Sequence, residues 1–143
     1  TAAVAAQTAA ELAETNAETA QAGATAAVAA AVVATGVQKI ALSAGVEGAN
    51  AIVVTGQLKD LEGTNVSAVT AVKVTSKPTT GGQGVMTIGT GTAVNGNGTV
   101  EVIVSTDANG VFTVSVANTI AETNVILATP SMGIQTYLLL TFA

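Results

Sequence analysis

The chain has 143 residues, of which 49% are hydrophobic, 2% aromatic and 9% charged, with a formal net charge of −5. Its positive charges are Lys39, Lys59, Lys73 and Lys77; arginine, histidine and cysteine are absent. This excludes thiol nucleophiles, disulfides, zinc sites of the usual kind and a histidine general base, and it argues against nucleic acid as a partner.

The length suits one ordinary domain, or a smaller domain with an appendage. Residues 1–36, TAAVAAQTAAELAETNAETAQAGATAAVAAAVVATG, contain 17 alanines, one leucine, no aromatic residue and no basic side chain. Alanine, glutamate, glutamine and leucine favour helix. The spacing is more telling than the propensity. Ala3, Ala6, Ala10, Ala13, Ala17, Ala20, Ala24, Ala27, Ala31 and Ala34 alternate steps of three and four, a heptad seam made only of alanine. Gln7, Glu11, Glu14, Glu18 and Gln21 form a polar stripe about a quarter turn away. Such a seam permits close backbone approach, at about 0.8 kcal/mol per buried methyl and no rotamer cost. It predicts an oligomerising or docking helix, with a solitary surface helix or a disordered arm as the alternative. Gly23 is expected to break the helix, because Val28, Val32 and Val33 make the stretch after it more apolar.

Residues 20–37 are uncharged and about long enough to cross a membrane, but alanine, glycine, threonine and glutamine dominate them and leucine, isoleucine and phenylalanine are absent. No membrane partner is expected. The first residues lack the basic and compact apolar regions of a secretion leader. Thr1 is small, which fits removal of an initiator methionine, with a mature, processed form as the alternative.

From Val37 onward the hydrophobic period becomes two. Strands are expected at residues 38–43, 51–58, 66–75, 85–88, 99–105, 111–116, 125–128 and 134–142. All are rich in valine, isoleucine and threonine, with loops such as KPTTGGQG and NGNG between them. Seven or eight short strands at this spacing predict an antiparallel β-sandwich. The last segment, IQTYLLLTFA, is apolar on both faces, so one face is expected in the core and the other against a helix or a neighbouring subunit.

The polar clusters read as turns. Asp60-Leu61-Glu62-Gly63 and Asp107-Ala108-Asn109-Gly110 pair a capping aspartate with a glycine suited to positive φ, and no downstream acid completes a calcium loop. Gly89-Thr90-Gly91 and Gly96-Asn97-Gly98 miss the dinucleotide-binding spacing and precede a strand, so they read as loops. Glu11, Glu14 and Glu18 share a helix face, which for exposed carboxylates means a solvated stripe, and Ser76-Lys77 has no partner suited to nucleophilic chemistry. No catalytic, cofactor-binding or metal-binding residue is expected, and the chain is not expected to be an enzyme.

GANAIVVTGQLKDLEGTNV and VSTDANGVFTVSVANTIAETNVILATP resemble the bacterial immunoglobulin-like domains of invasin-type surface proteins and of many tailed-phage virion proteins. The resemblance rests on a VTGxLKD strand entering a turn and on a TDANGxFxVxV hairpin followed by AETNV, and it covers about residues 37–143. It implies an Ig-like antiparallel β-sandwich at residues 37–143, preceded by an Ala-rich helical segment at residues 1–36. One such domain behind an alanine helix resembles small phage head-decoration or head-fibre proteins. Invasin-type domains are usually tandem, and the single copy here shifts the expectation from cell surface to virion. The implied function is a non-enzymatic structural protein at the capsid surface, with itself as partner in a homotrimer and with the major capsid protein or another virion protein. The alternatives are a tail-fibre or adhesin module that binds a host receptor or glycan, and a subunit of a cell-surface filament.

Overall fold

The computed structural model describes the backbone of residues 1–35 and 38–143 and the side chains of residues 1–26 and 38–143. The expected boundary between residues 36 and 37 lies outside the described residues. The chain divides into two compact units, Thr1–Thr35 and Gly36–Ala143.

The first unit is one helix, α1 (Ala2–Thr35). Gly23 does not break it, contrary to expectation. A glycine in a helix interior costs only about 1 kcal/mol relative to alanine, and the residues on both sides are strong helix formers. Four threonines return their hydroxyls to the carbonyl four residues earlier, as Thr15 does to Glu11 at 3.0 Å and Thr19 to Thr15 at 2.9 Å. This satisfies polar groups that would otherwise compete with the helix.

The second unit is a two-sheet sandwich. Its strands are β1 (Gln38–Ala44), β2 (Ala51–Lys59), β3 (Ala71–Pro78), β4 (Val85–Ile88), β5 (Thr92–Asn95), β6 (Glu101–Ser105), β7 (Val111–Ala117), β8 (Thr123–Pro130), β9 (Gly133–Ile134) and β10 (Thr136–Thr141). One sheet has the order β4-β7-β2-β1-β9 and the other β10-β8-β3-β6-β5. The runs β4-β7-β2-β1 and β10-β8-β3 reproduce the D-E-B-A and G-F-C orders of an immunoglobulin-type sandwich. The β5–β6 hairpin extends the second sheet where variable-type domains place C′ and C″, but here it follows β4 in the chain. The fold is mainly β, an Ig-like sandwich preceded by a helix.

Burial alternates strictly along β2, β7 and β8, which sets the register of the central strands. Val54, Leu58, Val74, Met86, Val104, Phe112, Val114 and Ile126 are fully buried between the sheets. Seven of the sixteen buried hydrophobic residues of the core are valine, whose branched side chain suits a pleated surface.

Four strand expectations are corrected. Residues 66–70 are not strand: the Val66 N–H donates to the Leu58 carbonyl and the Thr70 N–H to the Thr106 hydroxyl, so this stretch carries the chain between sheets and β3 begins at Ala71. Thr99 is drawn into the Gly96 turn, its N–H bonding the Gly96 carbonyl at 3.0 Å, so β6 begins at Glu101. Residues 92–95, absent from the expected strands, form one; all four are exposed, so no burial alternation marks them. Residues 134–142 divide at Gln135, where β9 runs parallel to β1 in one sheet and β10 antiparallel to β8 in the other. A strand continuous through Gln135 could not hydrogen-bond to both sheets.

Candidate functional site

The alanine seam lies on α1. Among its members, Ala3, Ala6, Ala10, Ala13, Ala17, Ala20 and Ala24 are exposed; the side chains of Ala27, Ala31 and Ala34 lie outside the described residues. Every described side chain of this helix is exposed, including Val4 at 62% and Leu12 at 60%. On the polar stripe, the Gln7 amide donates to the Glu11 carboxylate at 3.1 Å, a contact one helical turn apart. Glu11, Glu14 and Glu18 are exposed. The described part of the seam is a strip of exposed methyl groups beside an exposed polar stripe. Among the described residues, no helix is long and apolar enough to cross a membrane.

The two aspartate turns are built alike. Asp60 accepts the Thr64 N–H on its carboxylate at 2.7 Å, and Gly63 closes the turn at φ 92°. Asp107 accepts the N–H groups of Asn109 and Val111 at 2.9 and 2.8 Å, and Gly110 follows at φ 75°. Both carboxylates are committed to backbone donors. Among the described residues, no group of three metal-ligating side chains occurs.

A polar cluster that sequence reasoning missed joins the two sheets. Glu122 is 7% exposed and accepts the Asn118 side-chain amide at 2.8 Å on one oxygen; on the other it accepts the Thr80 N–H and hydroxyl at 2.6 and 2.7 Å. Asn118 also donates to the Asn124 carbonyl oxygen at 2.8 Å, and Asn124 donates to the Ser76 hydroxyl at 3.0 Å. The bonds from Asn118 and then Thr80 hold the Glu122 carboxyl at about 2, below the ordinary 4.5, against the opposing effect of burial. The cluster therefore holds a fixed negative charge that ties the β3–β4 connection to the β7–β8 turn. Its signal in the sequence is faint: Asn124 sits at an inward position of β8, where an apolar residue is the rule.

The outer face of the β10-β8-β3-β6-β5 sheet carries a shallow depression of about 600 Å³, lined by Lys73, Thr75, Ile103 and Leu127 among others. Lys73 pairs with Glu101 at 2.9 Å, both about half exposed, an interaction that contributes roughly 0–1 kcal/mol. Ser76 points away from this face into the core and holds Asn124.

No family model and no curated protein matches the chain. Two crystal structures of the β-glucuronidase of Parabacteroides merdae, one with glycerol in the active site, resemble it at 17% and 16% identity and TM-score 0.48. The likeness covers 71% and 72% of this chain and 12% of each glucuronidase, so the chain spans about an eighth of that enzyme's length. The yeast GGA1 GAE domain is similar over 74% of this chain and 91% of its own, at 8% identity and TM-score 0.31. The fold assignment rests on the strand order itself.

Proposed function

We propose that the chain is a non-enzymatic structural protein in which α1 assembles copies, or docks them on a partner, and the Ig-like domain forms the displayed part. The observation that carries this reading is the helix: 34 residues whose described side chains are all exposed and which carry almost no apolar bulk. A helix of this kind is marginal in water unless something packs on it. Close packing of identical methyl seams supplies that something with little loss of side-chain entropy.

The finer reading is a capsid decoration or head-fibre protein of a tailed phage, trimeric and seated on the major capsid protein. It draws on the resemblance of residues 37–143 to virion Ig-like domains and on the pairing of one such domain with an alanine helix. Ala13→Glu with Ala20→Glu places charge in the seam, where burial without a partner is strongly unfavourable. Gln7→Glu with Gln21→Glu adds the same charge to the polar stripe. Light scattering should give a trimer mass for the wild type and the stripe variant and a smaller mass for the seam variant; equal masses for the two variants overturn the assembly role. Labelling purified particles then distinguishes capsid from tail fibre and from cell-surface filament.

A further inference from the structure

Three asparagines of the chain precede a glycine: Asn95 and Asn97 between β5 and β6, and Asn109 before β7. In such a pair the main-chain nitrogen can attack the asparagine side chain, because glycine has no Cβ to obstruct the approach. The dipeptide is the same at all three places, but the hydrogen bonds around it differ.

The Gly98 N–H donates to the Met86 carbonyl at 2.8 Å, and the Asn97 side-chain oxygen accepts the Ile88 N–H at 2.9 Å. The Gly110 N–H donates to the Asp107 carbonyl at 3.0 Å. Among the described residues, neither the Gly96 N–H nor the Asn95 side chain forms a hydrogen bond. The Gly96 carbonyl accepts the Thr99 N–H at 3.0 Å and the Thr99 hydroxyl at 2.7 Å, so the turn is anchored after Gly96 and not before it. All four β5 side chains are exposed, and the β5–β6 register slips between Ala93 and Asn95, with Val94 as the extra residue of a bulge.

We propose that Asn95 is a site of self-modification in the folded chain, with the Gly96 nitrogen as nucleophile and water as co-reactant. The Gly96 nitrogen gives up its proton and bonds to the Asn95 side-chain carbonyl carbon. The side-chain nitrogen leaves as ammonia, and a succinimide ring closes. Water then opens the ring at either carbonyl, which leaves aspartate or isoaspartate at this position. One water is consumed and one ammonia released, with no change of oxidation state.

The product adds one negative charge to a net charge of −5. Isoaspartate also lengthens the main chain by a methylene at the position paired with Ile103, so β5 cannot keep both its register and the turn. β5 buries no side chain, and the core residues Val102 and Val104 belong to β6. Release of β5 therefore leaves the core packed and uncovers the β6 edge of the second sheet.

Holding the full chain folded in mildly alkaline buffer and mapping its peptides by mass spectrometry tests this. Aspartate and isoaspartate should accumulate first at Asn95. Each hydrogen bond that must break beforehand should slow conversion roughly two- to tenfold, which orders the sites Asn95, Asn109, Asn97. In urea the three should convert at similar rates, because the bonds that separate them are gone. An isoaspartate-specific methyltransferase should label the aged wild type several-fold more than equally aged Asn95→Gln, whose longer side chain closes its ring slowly. After conversion the β5–β6 hairpin should lose hydrogen-exchange protection while the cooperative melt is kept. Equal conversion of the three sites in the folded chain, Asn97 or Asn109 ahead of Asn95, or a preference for Asn95 that persists in urea would each overturn the proposal. Loss of the cooperative melt on conversion would overturn the local release of β5.

Discussion

Gly56 in β2 lies directly across the ladder from Phe112 in β7, and the buried Phe112 ring fills the space that a Gly56 side chain would occupy. A glycine in a strand interior weakens the strand unless another group needs its space; here the largest fully buried side chain needs it. Overpacking a tight core costs about 1–3 kcal/mol, more than the roughly 0.4–1 kcal/mol that alanine gains by restricting the unfolded chain. Gly56→Ala should therefore lower the urea midpoint. Adding Phe112→Leu should recover part of that loss relative to Phe112→Leu alone, and independent effects in the double-mutant cycle would show that the two side chains do not compete.

The turn glycines should separate from each other. Gly63 has open space around its missing Cβ, so Gly63→Ala meets only the positive-φ cost of about 1 kcal/mol. At Gly110 a Cβ would also collide with the Val66 carbonyl, so Gly110→Ala should destabilise clearly more. Thermal melts compare the two. EDTA should shift neither melt, because Asp60 and Asp107 each turn one carboxylate oxygen to backbone N–H groups and, among the described residues, neither belongs to a group of three metal-ligating side chains.

Glu122 sets an acid limb of stability. Its folded value of about 2 lies below the ordinary 4.5, so between these pH values the unfolded chain binds more protons and stability rises with pH. The contribution is fully present above about pH 4.5 and is lost as pH falls through about 2. Glu122→Gln should be less stable at pH 7, because an amide offers only one acceptor oxygen to three donors. It should also show a shallower fall between pH 4.5 and 2 in chemical unfolding; parallel pH profiles for wild type and variant would remove Glu122 from this role.

A fragment of residues 38–143 should fold cooperatively to β structure by circular dichroism. Its two sheets and buried cluster draw only on residues from Gln38 onward. A disordered spectrum would make the sandwich dependent on the N-terminal segment.

The sequence by itself determined the change of period near residue 37, the helical character of the alanine segment and the sandwich class. These follow from local propensity and from alternation that repeats within each strand, as in the Val111–Ala117 strand, where every second side chain is buried. Three features were decided only by tertiary structure. The exposed Thr92–Asn95 strand exists because Ser105, Val104 and Ile103 pair with it, not because of its own pattern. The apolar run at residues 134–142 divides at Gln135 because its two ends hydrogen-bond in different sheets, and neither hydropathy nor propensity records which sheet a strand joins. The Glu122 cluster gathers Ser76, Thr80, Asn118 and Asn124 from separate stretches of the chain. Each reads as an ordinary polar residue until the sheets stack and remove water, when every buried donor and acceptor must find a partner in the protein.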